Sequence, residues 1–180
     1  AQAKTLIGGN EGKDASLEDL KAAAEFYNKT LANEAENEEA KNGITTIKNL
    51  LVNGAVDNQN EKNFELASKK LHTSYQLGQK DTIHLYYAAG NAINAENYET
   101  AIGYFKTLME LGFDGSSITY FATNAETGKK ESFGQDKDYR DIALKTGDYK
   151  DPVDEKTPSK KAEIAKTLSR LYLQLEQPKE

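Results

Sequence analysis

Few residues of this 180-residue chain have the types and spacing that chemistry needs. There are no cysteines, which removes disulfides, thiol nucleophiles and thiolate metal sites. The two histidines, His72 and His84, sit beside Leu71 and Leu85, and neither belongs to an H-E-x-x-H frame or another close cluster of ligand types. Glu34, Glu36, Glu38 and Glu39 form a run of the kind that makes a solvated face. A glycosidase needs two carboxylates held at a defined separation across a sugar, and no such pair stands out. Gly8-Gly9-Asn10-Glu11-Gly12 lacks the Lys-Ser/Thr of a phosphate loop and follows no buried strand, so it reads as a flexible tail. Asn28-Lys29-Thr30 fits the glycosylation acceptor pattern but falls on a predicted helix. No catalytic residue, metal site or cofactor is expected, and the chain does not read as an enzyme.

The elements that position these residues show a fixed period. Asn60, Asn63, Glu65, Ala67, Thr73, Leu77 and Gly78 recur at one constant offset as Asn94, Asn97, Glu99, Ala101, Thr107, Leu111 and Gly112. The apolar frame Phe64, Ala67, Leu71 shifts by the same offset onto Tyr98, Ala101, Phe105. A period in this range marks stacked supersecondary units. Leu20, Ala23 and Tyr27 imitate the same frame, which predicts a helix over 16–33. Ala40, Ile44, Ile47 and Leu51 step along one helical face. Val52 to Asn60 contains Asn-Gly and is expected to be an insertion that ends this helix.

Ala101-x3-Phe105, preceded by Leu85, Ala88, Ala89 and Ala92, resembles the helix pair of the tetratricopeptide (TPR) family, whose repeat has the same period as this chain. Leu85 stands at the family's Trp, Ala89 at its Gly, Ala92 at its Tyr and Phe113 at its Pro. Leu168, Ser169 and Tyr172 fit the Leu-Gly-x2-Tyr frame of a further first helix over 160–176. The resemblance implies an all-α solenoid of helix pairs wound as a right-handed superhelix. It also implies a concave groove lined by the first helix of each pair: Lys41, Thr45 and Lys48, then Tyr86 and Asn94, then Lys166, Arg170 and Gln174. Four cations in a chain of net charge −6 suit an acidic segment. Some family members clamp a terminal carboxylate with Lys, Asn and Arg; Thr45 and Tyr87 stand at the Asn places here, so that activity is not carried over.

The period breaks after Leu111. Ser117 to Thr123, a turn at Asn124 to Gly128, and Lys129 to Phe133 read as a β-hairpin. Gln135 to Thr146 reads as a short helix closed by Gly147, and Asp148 to Pro158 as a polar linker. The expected organisation is a flexible tail over 1–15, TPR-like repeats over 16–113, an insertion with hairpin, helix and linker over 114–158, and a further first helix over 159–180. Insertions of this kind bind, or only brace the stack.

The hydrophobic fraction of 37% suits the thin core of a helical stack. Scattered cations argue against nucleic acid, and no apolar run approaches the roughly 20 residues of a membrane span. Ala1-Gln2-Ala3 resembles a start left by signal-peptidase cleavage, so export to the periplasm or cell envelope is expected, with the cytoplasm as the alternative. The expected function is a non-catalytic scaffold that binds a protein or extended peptide. A rival of another class is a cell-envelope glycan- or nutrient-binding protein using Tyr120 or Phe133. It would want a lipid anchor on Cys, and the chain has no cysteine. The final helix, with Leu168, Leu171, Tyr172 and Leu175 as apolar positions, lacks a following partner helix. It reads as part of a longer repeat protein, or as a surface for self-association.

Overall fold

A computed structural model describes residues 15–78 and 81–176. The expected N-terminal tail, its glycine-rich stretch and the last residues 177–180 lie outside the described residues, apart from Ala15. The protein is mostly helical with a small three-stranded antiparallel sheet. In order, the elements are α1 (Leu17–Asn33), α2 (Glu38–Asn60), α3 (Phe64–Leu77), α4 (Thr82–Asn94), α5 (Tyr98–Glu110), β1 (Ile118–Asn124), β2 (Lys130–Ser132), α6 (Lys137–Thr146), β3 (Tyr149–Lys156) and α7 (Lys161–Glu176). They form two compact units, Ala1–Gly112 with Leu168–Glu180, and Phe113–Thr167.

In the first unit each of helices α1 to α5 packs chiefly on its neighbours in sequence. Local chemistry sets their starts. Ser16 caps α1 by accepting from Asp19 N at 3.1 Å, and the Asp19 carboxylate accepts from Ser16 N in return. Asn37 caps α2 by accepting from Ala40 N at 2.9 Å. Asn63 and Asn97 cap α3 and α5 in the same way, each accepting from a backbone N–H at 3.3 Å. Before each of these two caps stands a left-handed residue, Lys62 at φ 61° and Glu96 at φ 60°. Asn63 N donates to Asn58 O at 2.7 Å, and Asn97 N to Ala92 O at 2.8 Å. The two turns, one repeat period apart, therefore share one backbone solution.

The core runs from Leu17, Leu20, Ala23, Ala24 and Tyr27 of α1 to Ala40, Ile47 and Leu51 of α2. It continues in Ala55, Ala67, Leu71 and Ala88. A buried hydrogen bond, Ser68 Oγ to Ala88 O at 2.8 Å, ties α3 to α4.

The expected insertion at Val52 to Asn60 does not exist. Helix α2 continues through Asn53 and Gly54 to Asn60. Leu51 and Ala55 lie one period before Leu85 and Ala89, and all four are buried. The extra length of α2 is at its start, where it packs on α1. Gly54 stays inside the helix between the buried Leu51 and Ala55, with Lys70 Nζ of α3 donating to its carbonyl at 3.4 Å. Packing on α3 outweighs the glycine's cost of roughly 1 kcal/mol.

In the second unit the expected hairpin is present. Asn124 Oδ1 accepts from Glu126 N at 3.1 Å and Thr127 N at 2.9 Å, and Gly128 completes the turn at φ 68°. The sheet is larger than that hairpin. The stretch expected as a polar linker forms β3, which pairs antiparallel with β1 from Ile118↔Lys156 to Asn124↔Tyr149, giving the order β2-β1-β3. Its register shifts between Phe121 and Thr123. β3 is an exposed edge strand carrying Pro152 and several charges, so it lacks the apolar alternation that marks a strand in sequence.

Arg140 is the buried residue of helix α6 and links it to this sheet. Arg140 is 4% exposed. It donates from Nε and Nη2 to Asp141 at 3.1 and 3.0 Å, pairs through Nη1 with Asp154 of β3, and lies 5.0 Å from the Tyr120 ring centroid. The hydrogen bonds and charges of these carboxylates, Asp154 first, raise its pKa further. Arg140→Lys keeps the charge but loses the planar fork and the stacking surface. Hydrogen exchange of that variant is expected to show faster exchange in α6 and β3, with α1 to α5 unchanged. Equal protection in β3 would show that the guanidinium does not fasten α6 to the sheet.

Candidate partner-binding surface

The outward faces of α2 and α4 are the surface on which sequence spacing places most of the candidate groove residues. Helix α4 buries Leu85, Ala88, Ala89, Asn91 and Ala92. Tyr86 and Tyr87 are adjacent and cannot share a side. The Tyr86 ring packs edge-on against Phe105 of α5 at 6.3 Å, whereas Tyr87 is 50% exposed. Tyr87 rather than Tyr86 thus carries the aromatic surface of this face. On α2 the residue one period earlier is Asn53, also exposed, followed by exposed Val56 and Asn60; Asn60 matches exposed Asn94.

The cations expected to line the groove are largely committed to the chain itself. Lys41 Nζ lies 2.6 Å from Glu36 and 3.2 Å from Glu38. Those two carboxylates hold its pKa above the ordinary lysine value, and Lys41 in turn lowers that of Glu36. Lys48 pairs with Asp81, the residue that begins α4, and the carboxylate makes no capping bond to its own helix. Thr45 Oγ1 donates back to Lys41 O at 3.1 Å. On α7, Gln174 Nε2 donates to the Tyr98 hydroxyl at 3.0 Å. Lys166 and Arg170 are exposed and form no ion pair among the described residues.

The histidines are held by packing. His72 stacks on Tyr104 at 4.6 Å, and burial, reinforced by Lys21, lowers its pKa. His84 Nδ1 lies 3.1 Å from Ser74 Oγ, and burial lowers its pKa as well. Ser74 is fully buried, and this pair joins α3 to α4. Among the described residues no three His, Asp or Glu side chains are placed to hold a metal ion, and no described helix is long and apolar enough to cross a membrane.

The aromatics that a sugar-binding surface would use have partners in the fold. Phe133 meets Tyr139 at 5.5 Å and Tyr149 at 5.0 Å, both edge-on, and Tyr120 lies under Arg140. Tyr149 donates its hydroxyl to Glu131 at 2.7 Å. The exposed aromatic of this unit is Tyr139, which the sequence does not distinguish from the others. On α7 the buried positions are Ile164, Leu168 and Leu171. Tyr172 and Leu175, expected in the core, are both exposed, because α7 is covered along one narrow stripe. No family model matches the chain, and no curated protein or solved structure is significantly similar to it.

Proposed function

We propose that this chain is a non-catalytic, TPR-like scaffold that binds an extended segment of another protein across the outward faces of α2 and α4. One observation carries the reading. The left-handed residue, the asparagine cap and the fully buried alanine recur one period apart as Lys62/Glu96, Asn63/Asn97 and Ala67/Ala101. Helix pairs built alike stack with their first helices side by side, and such stacks present an extended binding face. With Lys41 and Lys48 engaged by the chain's own carboxylates, contacts on this face are apolar and hydrogen-bonding, through Val56, Tyr87, Asn53, Asn60 and Asn94. The acidic preference expected from the four cations is not assigned to α2.

Panning a displayed library of random peptides against the chain tests this. The expected result is a family of extended peptides whose binding is lost in Val56→Asp and Tyr87→Asp, with the melting temperature unchanged because both side chains are half exposed. Enrichment no better than on a bare surface, or peptides indifferent to both substitutions, would overturn the assignment.

A further inference from the structure

The chain has two histidines, and both stand where α3 meets the helices around it. His72, on α3, stacks on Tyr104 of α5 at 4.6 Å and lies 6.4 Å from Tyr75 of its own helix. The charge that acts on it is Lys21 of α1, which is itself paired at 3.0 Å with exposed Glu18. His84, on α4, meets Ser74 of α3 at 3.1 Å. The charges that act on it are Asp81, at the start of α4, and Lys48 of α2, and these two are already paired with each other. Both rings are partly buried, and Ser74 is wholly so.

Neither place is built for a cation. An imidazolium taken out of water needs a carboxylate beside it. His72 has two phenol rings and a like charge. Burial raises the pKa of Tyr104, so that ring stays neutral and supplies no negative charge. The carboxylate near His84 is held by Lys48, whose own charge opposes a second one, and Ser74 is neutral. Burial first, and the nearby lysine second, thus favour the uncharged form of each ring and lower its pKa, with Asp81 offsetting part of this at His84.

We propose that the two histidines make the helical unit acid-sensitive: protonation of His72 and His84 loosens the hold of α3 on the helices around it in mildly acidic solution. The proposal does not rest on the binding reading. A ring whose pKa is lowered by folding takes its proton more readily in the unfolded chain. Its stabilisation is complete above the unfolded value of about 6.5, and is lost as the pH falls from there through the lowered folded value. Each histidine can reduce the folding constant by at most about tenfold per pH unit over that interval. The carboxylates whose pKa is pushed down, Glu36, Glu65, Asp114 and Asp141, act only below their ordinary values of about 4. The two windows are therefore separate.

Urea denaturation of the whole chain, followed by circular dichroism from about pH 7.5 to about pH 5, tests this. The midpoint is expected to fall below about pH 6.5, less steeply in His72→Gln and in His84→Gln, and to stay level when both are replaced. Nuclear magnetic resonance of the folded parent reads each ring by itself. Both imidazoles should titrate below the ordinary histidine value, and amide signals of α3 should move with them. Lys21→Met should raise the titration midpoint of His72 alone, and Lys48→Met that of His84 alone. The proposal fails if the parent's urea midpoint is constant over this interval, or if the double variant falls as steeply as the parent. It also fails if the rings titrate at or above the ordinary value, or if the α3 amides do not follow them. Where the double variant does not fold, the parent's urea midpoints and the ring titrations decide.

Discussion

Ala101→Tyr is expected to unfold or severely loosen the helical unit. Ala101 and Ala67 are both 0% exposed. Ala101 lies on the buried side of α5 with Ile102, Phe105 and Leu108. Ala67 packs with Ala55, Leu71 and Ala88, with Val52 and Tyr104 closing over them. A tyrosine at either place must push two helices apart, at about 1–3 kcal/mol for overpacking. Its hydroxyl would add about 1–3 kcal/mol if buried without a partner. At roughly 4–8 °C per kcal/mol for a unit of this size, the melting temperature should fall well outside measurement error. Ala101→Ser, which adds one small atom, serves as the mild control. An unchanged melting temperature in both tyrosine variants would mean that neither alanine sits at a helix crossing.

Gly43→Val is expected to have the next largest effect, with the opposite sign from Gly103→Ala. Both glycines lie in helices, so both substitutions relieve the unfolded chain of glycine's freedom, a gain of about 0.5–1 kcal/mol for alanine. At Gly103 a Cβ meets nothing within 4 Å, so that gain should appear in full as a higher denaturation midpoint. At Gly43 a Cβ would overlap the ring of Tyr27, which is buried among Leu20, Ala23 and Ile47 and has nowhere to move. Overpacking of about 1–3 kcal/mol exceeds the gain, and valine's two γ-methyls beyond that Cβ enlarge it. The coupling is testable by a double-mutant cycle: in a Tyr27→Ala background Gly43→Val should cost much less. Additive costs would place the strain somewhere other than against that ring.

The start of α1 near Ser16 was legible in the sequence, but the asparagine caps of α3 and α5 were not singled out, although capping is decided within one turn of chain. Asn63 and Asn97 need only their own side chain and a backbone N–H three residues on. The same locality made the β1–β2 turn and the glycine stop of α6, Gly147 at φ 84°, readable in advance. The burial of Ala67 and Ala101 was expected from the resemblance to TPR helix pairs, which have a small residue at that crossing position, together with the period that relates the two alanines.

What the tertiary structure decided depends on residues far apart in the chain. Asn53-Gly54 has the composition of a turn, yet it stays helical because Leu51 and Ala55 on either side are buried against the neighbouring helices. β3 has almost no apolar content of its own; it is a strand because β1 offers it a ladder of backbone groups. Tyr86 and Tyr87 are the same residue type at consecutive positions, and only Phe105 on the next helix selects which one turns inward. The charge of the α2 face was misread for the same reason: counting lysines cannot show that Asp81, far along the chain from Lys48, comes back to neutralise it. Short-range hydrogen bonds and backbone preferences are properties of the chain order. Which face is covered, and which charge remains unpaired, is settled only when distant segments compete for the same volume.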